Sequence, residues 1–508
     1  MVKIFLKIII AYFIFGMCFM STATNYYVAT WGNDSWSGLS WDSAFATLQH
    51  AADIVNQGDS VFTANGDYTG FDLRSGGTQL APIVFKANGS SVQIVNQNPV
   101  TPDGINIENA DWVVIDGFEV IGITRAGIRV AVSQHVTVRN NYCSTNGRWG
   151  IFTGFADYAV IENNECCYSQ QEHGIYFSNS ADHPVISHNV SHHNNANGIH
   201  MNGDASMGGD GLITDATVEC NIIYENGAAG GSGINCDGVA ESRIYNNLLY
   251  SNHASGISLY MIDGSAGSYR NKVYNNTILN ASNARWCVNI NSGSYGDTLY
   301  NNILINLHDW RGSISIDSSS MPGFCSDYNV VIDRFSTDWG NTVITLAEWQ
   351  ALGYDLHSML ADPLDSIFVN YAAGDYHLRT FCQAMDAGTS AVFPLVLFDL
   401  EGISRPQGPE YDIGCYEVYQ GKIEEEKVSG PEKANNAGIR ICKDKITFEG
   451  VEHGTIISIY DLSGSLVHKT GRLYSSFYVT RQPMSGGVYF CRLETPDRTC
   501  IDKVLLLK

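Results

Sequence analysis

Lysine is almost absent from the body of this chain: between residues 24 and 421 it occurs only as Lys86 and Lys272. Positive charge is scarce throughout, with 29 Lys and Arg against 52 Asp and Glu, for a net charge of −23. Such a surface repels nucleic acid and gives no general electrostatic capture of an anionic polymer. Beyond the first twenty residues no apolar run approaches the roughly 20 residues that a membrane span needs. The 13 cysteines include no C-x-x-C pair, which argues against a zinc site of that kind. At 508 residues the chain exceeds one ordinary core, so several domains or one repeat array are expected.

The N-terminus reads as an export signal over residues 1–23. Lys3 and Lys7 precede a short apolar run over residues 8–20, and Ser21-Thr22-Ala23 supplies small residues for cleavage. Met17 stands before Cys18 where lipidation wants a small side chain. The mature chain is expected to begin near Thr24 and to work outside the cytoplasm, secreted or attached to the cell surface. Export permits disulfides. Cys143 and Cys166, however, each lie two residues after a paired Asn, and Cys236 falls at an inward strand position. Stacked core thiols are therefore favoured over bridges.

A repeat of about 23 residues organises the middle. Its first marker is Gly104-Ile105, Gly127-Ile128, Gly150-Ile151, Gly174-Ile175, Gly198-Ile199, Gly233-Ile234 and Gly256-Ile257, continued by Cys287-Val288 and Ser313-Ile314. The spacings are 23, 23, 24, 24, 35, 23, 31 and 26. A second marker keeps the same beat with paired asparagines at Asn140-Asn141, Asn163-Asn164, Asn246-Asn247, Asn275-Asn276 and Asn301-Asn302, and weaker copies ending at Asn189 and Asn221. Each repeat thus holds two or three short strands divided by Asn and Gly turns, and Asn at matching turns can form a ladder. One coil cannot bury its apolar side alone, so the array folds as a unit. The regular Leu spacing of leucine-rich repeats is absent. The expected fold is all-β: a right-handed parallel β-helix over residues 24–420, capped by an N-terminal helix over residues 44–56. Residues 421–440 read as a charged linker, and residues 441–508 as a small β-sandwich.

Two resemblances carry further expectations. Tyr26-Tyr27-Val28, Gly32-Asn33-Asp34, residues 45–49 (Phe-Ala-Thr-Leu-Gln) and Gly66-Asp67-Tyr68 resemble the opening of extracellular β-helix proteins, polysaccharide lyases among them. Asp362-Pro363, Gly374-Asp375-Tyr376, Asp386-Ala387-Gly388 and Asp412-Ile413-Gly414 resemble the family's ending and are taken as the last coils and their closure. Gly487-Val488-Tyr489 and the terminal Lys503-Val504-Leu505-Leu506-Leu507-Lys508 resemble the C-terminal sorting domain of the type IX secretion system. That resemblance implies export by type IX machinery.

Strand alternation places two outward columns on the Gly-Ile strands. The first is Asn106, Arg129, Phe152, Tyr176, His200, Asn235, Ser258, Asn289 and Ser315; the second is Glu108, Ala131, Gly154, Ser178, Asn202, Asp237, Tyr260, Asn291 and Asp317. Insertions at residues 203–211 and 261–264 leave the same sheet edge and could wall a cleft. The candidate catalytic residues are Tyr176, His200, Asp237 and Tyr260, with His173 along the opposite edge. Arg129, Arg148, Asn202, Asn235, His253 and Asn289 are candidate substrate contacts, and Asp204, Asp210 and Asp263 candidate calcium ligands. His188, His192 and His193 fall at turn positions where Asn is common, His183 precedes Pro184 in a turn, and Tyr245, Tyr274 and Tyr300 read as an exposed ladder.

The resemblance to secreted β-helix enzymes implies a polysaccharide substrate and, first, a lyase acting on a uronate-containing polymer. Many such lyases use Lys as base with calcium; with no Lys between Lys86 and Lys272, His200 or His173 would serve as base, Tyr176 or Tyr260 as acid, and Arg129, Arg148 or calcium would offset the carboxylate. Hydrolysis would pair Asp237 with Asp204, Asp210 or Asp263. Asn235-Cys236-Asp237-Gly238 resembles the Asn-Thr-Asp motif of β-helix polygalacturonases, but that family's other motifs are missing. Asp182-His183-Pro184 is not the Asp-Pro-His of alginate epimerases. A non-catalytic glycan-binding surface protein is the competing expectation. A monomer is expected, with no nucleic acid partner and no membrane span.

Overall fold

In the computed structural model, which describes residues 23–419 and the strands of a C-terminal unit between 438 and 506, each repeat closes into a coil of three short strands. One coil runs Thr137–Arg139, Tyr142–Ser144 and Trp149–Gly154. Every strand pairs in parallel with its counterparts one coil earlier and one later. Val138 lies between Ile115 and Ile161, Cys143 between Val120 and Cys166, and Ile151 between Ile128 and Ile175. The coils stack into three parallel sheets of 12, 12 and 11 strands, named here first, second and third by their order within a coil. The chain is a right-handed parallel β-helix.

Alternation puts one side of every strand inside, where Ile128, Ile151, Ile175, Ile199, Ile234 and Ile257 are fully buried. Cys143, Cys166, Cys236 and Cys287 take core positions of the same kind, and all nine cysteines described are free thiols. The paired asparagines divide their work at the corner between the first and second sheets. The first of each pair takes a left-handed backbone (Asn140 φ 56, Asn246 φ 54, Asn301 φ 58), which Asn tolerates better than most residues. The second points inward and builds a ladder through Asn141, Asn164, Asn189, Asn221, Asn247, Asn276, Asn302 and Asn329. Each amide donates to the next Asn Oδ1 at 2.9–3.1 Å.

Three expectations need correction. The cap helix is shorter than residues 44–56 and spans Leu48–Ile54. Phe45 instead pairs its backbone with Tyr27 and Ala29, and Asp34 accepts the N–H groups of Ala46 and Thr47, so the chain stays extended until Thr47 caps the helix. Residues 361–418 are not further coils. The last solenoid strand is Met359–Leu360; beyond it the chain folds back over the outside, where Asn246, Asn275 and Asn301 donate to the backbone carbonyls of Phe398, Asp412 and Thr389. This strap buries Tyr274 against Val392, Val396 and Tyr411, with Tyr245 and Tyr300 packed beside them. The tyrosine ladder is therefore a covered seam, not an exposed one.

The strap carries a pH dependence. His377 sits between Asp375 (Nδ1 to Oδ1, 2.6 Å) and Glu401 (Nε2 to Oε1, 3.3 Å), and these carboxylates raise its pKa to about 9, the Glu401 contact most. A folded pKa above the unfolded value of about 6.5 stabilises the strap fully below that value and ceases to do so as pH rises through 9. Hydrogen exchange of Asp375–Leu378 is expected to quicken between pH 7 and pH 10 relative to the solenoid strands, once corrected for intrinsic rates, and His377→Gln should flatten that difference.

The strands described between residues 438 and 506 belong to a second unit and form two antiparallel sheets, of three and four strands. The export signal (but for Ala23) and most of the linker lie outside the described residues. Among the described residues no helix is long and apolar enough to cross a membrane.

Candidate functional site

The outer face of the third sheet carries both columns in the expected register. Arg129, Phe152, Tyr176, His200, Asn235, Ser258 and Asn289 are successive Cα partners, as are Ser178, Asn202, Asp237 and Tyr260. Aromatic rings line the upstream half. Trp149, at the strand's start, lies 4.7 Å from Phe152 and 5.6 Å from Tyr176 between ring centroids, and Tyr176 stacks on His200 at 4.9 Å. Trp149 was not among the expected site residues, because it precedes the Gly-Ile pair from which the columns were counted.

Hydrogen bonding decides the tautomers of the two histidines. The backbone N–H of Asn197 can only donate, and it donates to Nδ1 of His173 (3.3 Å), beside the Asn197 amide. Neutral His173 then carries its proton on Nε2 and donates it to Nδ1 of His200 (3.0 Å). His200 in turn carries its own proton on Nε2, an atom sealed from solvent with no partner. Burial holds the His200 pKa down at about 3 and that of His173 well below normal, so both rings stay neutral. His200 therefore presents a donor, and neither ring has a free lone pair with which to act as base.

The tyrosines are joined to the asparagines expected to bind substrate. Asn202 donates to the Tyr176 hydroxyl oxygen (3.1 Å) and Asn235 to that of Tyr260 (2.9 Å). Burial pushes the Tyr176 phenol up to about 12 and the Tyr260 phenol higher, while each amide contact works the other way by favouring the phenolate.

Asp237 is engaged otherwise than expected. Its Oδ1 accepts the N–H groups of Ile262 (2.9 Å) and Gly264 (3.0 Å), and its Oδ2 that of Asp263 (2.9 Å). The buried carboxylate thereby folds the 261–264 loop against the sheet, which withdraws it from the carboxyl pair that hydrolysis needs. The two insertions form one wall: Ala205 donates to the Asp263 carbonyl (2.8 Å) and Ser265 to that of Gly211 (3.0 Å).

The arginines are also taken. Arg129 pairs with Glu108 (2.8 Å) and Asn106, and Arg148 with Glu172, which also accepts from the Trp149 indole (2.7 Å). Neither brings an unpaired charge to the face. His253 lies at another corner, between Glu225 (2.8 Å) and Asn283 (2.9 Å). Asn289 sits downstream in the first column, beside Ser258 and Ser315.

The aspartates expected to hold calcium each accept a hydrogen bond from the protein. Asp204 binds Ser206, Asp210 accepts from Leu212, and Asp263 faces Asn202 at 3.3 Å. Among the described residues, the His, Cys, Asp and Glu groups close enough to share one ion are Glu165, Cys167 and His192. His192 belongs to the strand Val190–His192 of the second sheet, not to a turn, whereas His183, His188 and His193 do take the left-handed turn conformation.

Residues 83–289 match the NosD family, described as a periplasmic copper-binding protein. No curated protein matches the chain. Among solved structures it is similar to pectate lyase Pel9A, at 18% identity over 78% of this chain and 97% of that one, with a TM-score of 0.54. An alginate lyase from Paenibacillus sp. str. FPU-7 is 19% identical over 52% of this chain and 93% of its own, with a TM-score of 0.43. A rhamnogalacturonan lyase is 14% identical over 68% and 91%, with a TM-score of 0.40. At these identities the likeness is one of fold.

Proposed function

We propose that the chain is a secreted, polysaccharide-active β-helix protein that binds a uronate-containing polymer across the outer face of the third sheet and cleaves it by elimination. The observation that carries this reading is the buried, unpartnered Nε2–H of His200, whose ring stacks on Tyr176. A buried donor with no acceptor is costly, and a substrate oxygen would relieve that cost once the side chains that seal Nε2 turn aside to admit it. The fold shared with a pectate lyase agrees with the substrate class.

In the proposed reaction His200 Nε2–H donates to the uronate carboxylate, stabilising the negative charge that grows there as the neighbouring carbon loses its proton. Tyr176, as the phenolate that Asn202 favours, takes that proton. The electron pair forms a carbon–carbon double bond and the glycosidic C–O bond breaks. The protonated Tyr176 then gives its proton to the departing oxygen, which restores the phenolate. Asp237 serves as a positioning residue for the loop wall. Export would follow the signal at residues 1–23 and the type IX sorting domain at residues 441–508, and the protein would act as a monomer.

Pure glycan binding is the second reading, favoured by the engagement of Asp237, Arg129 and Arg148 with protein partners. Incubating the purified protein with polyuronates and neutral glycans, with and without chelator, separates the readings. Elimination yields an ultraviolet-absorbing unsaturated product, and a drop on chelation would implicate calcium. New reducing ends without that absorbance would mean hydrolysis and overturn the proposal; binding without cleavage would leave the second reading.

A further inference from the structure

The outer face of the second sheet holds a cluster that the proposed reaction does not use. Cys167 and His192 are direct Cα partners on neighbouring strands, and Glu165 lies two residues before Cys167, so alternation brings all three side chains to one outward patch. The His192 Nε2 to Glu165 Oε1 distance is 3.1 Å, and one ligand atom from each residue lies within 4.8 Å of the other two. Cys167 and His192 are buried, while the Glu165 carboxylate, with 45% of its side chain exposed, stands at the mouth.

We propose that Glu165, Cys167 and His192 form a binding site for a zinc-class cation, with a fourth coordination position open to solvent. One thiolate, one imidazole and one carboxylate match the mixed sulfur, nitrogen and oxygen donors that zinc accepts in four-coordinate sites. The carboxylate weighs against copper(I), which selects soft ligands.

The surroundings are ordered for this task. His192 Nδ1 lies 2.8 Å from His193 Nδ1. With Nε2 on the cation, the His192 proton sits on Nδ1 and is donated to His193, the outer contact that orients metal-bound histidines. Tyr224 stacks on His192 at 4.7 Å and 7°, which fixes the ring plane, and the Tyr142 hydroxyl lies 3.6 Å from Cys167 Sγ. Binding displaces the thiol proton to solvent, and no redox step is involved.

Cobalt(II) titration of the full chain tests the site, because a cobalt–thiolate bond absorbs in the near ultraviolet. The expected result is one equivalent bound with a charge-transfer band that zinc(II) displaces. Cys167→Ser should remove the band, Glu165→Gln should weaken binding at least tenfold, and His193→Phe should weaken it roughly 10–100-fold. Should Cys167→Ser fail to fold, Glu165→Gln, at a half-exposed position, decides the matter by itself. A band and affinity unchanged by Cys167→Ser or by Glu165→Gln, or no saturable binding at all, would overturn the proposal.

Discussion

Asn247→Ala is expected to lower the stability of the solenoid by about 3–5 kcal/mol, read as a lower denaturant midpoint. The side chain is fully buried midway along the asparagine ladder. Its amide donates to the Val218 carbonyl (2.9 Å) and to Asn276 Oδ1 (3.0 Å), and its own Oδ1 accepts the Asn221 backbone N–H (3.0 Å) and side-chain amide (2.9 Å). Alanine leaves the Asn221 backbone N–H and one N–H of its side-chain amide unpaired where water does not reach, at about 1–3 kcal/mol for each group so stranded. Coils in an array depend on their neighbours, so the damage reaches the coils on either side. The adjoining Asn246 provides the contrast. It occupies φ 54 and donates only to the Phe398 carbonyl (2.6 Å), so Asn246→Gly, which suits that backbone, should cost no more than about 1.5 kcal/mol. Equal losses from the two substitutions would mean that the ladder bonds are not what holds the coils together.

Tyr176→Phe is expected to lower kcat by roughly 10²–10⁴ while KM and the unfolding midpoint stay near their starting values. Phenylalanine keeps the ring that stacks on His200 and removes only the oxygen that receives Asn202. His200→Phe is the complementary change: it retains a flat ring, loses the Nε2–H donor, and should lower kcat as well as raise KM. With the Tyr176 phenol held up at about 12, the phenolate is the minor form at neutral pH, so kcat/KM should climb as pH rises. His200, neutral down to about pH 3, should add no step of its own between pH 5 and 8. A Tyr176→Phe protein within tenfold of the parent would remove the tyrosine from the proton path.

The register of the outward columns was legible in the sequence because a strand has a period of two and each coil returns to the same sheet. Once Gly-Ile pairs are aligned, Tyr176, His200 and Asn235 must be neighbours. Which of those neighbours are free to do chemistry was not legible. Asp237 looks like an acid or base until the loop from a later coil places three N–H groups on it. His200 reads as a base until a chain of donors beginning at Asn197 sets its proton on Nε2. His192 is grouped with His188 and His193 at positions where Asn is common, yet it lies on a strand while the other two take the left-handed turn backbone.

The sequence by itself determined the repeat, a coil of two or three strands, the inward and outward faces and the asparagine corners, since these follow from local periodicity and from the need of each coil to bury one side. Only the tertiary structure decided the covering of the tyrosine ladder by residues 361–418, the pairing of Arg129 and Arg148 with nearby carboxylates, and the grouping of Glu165 and Cys167 with His192. Those outcomes depend on hydrogen-bond direction and on contacts between coils or across far longer stretches of chain, and a one-dimensional spacing carries neither.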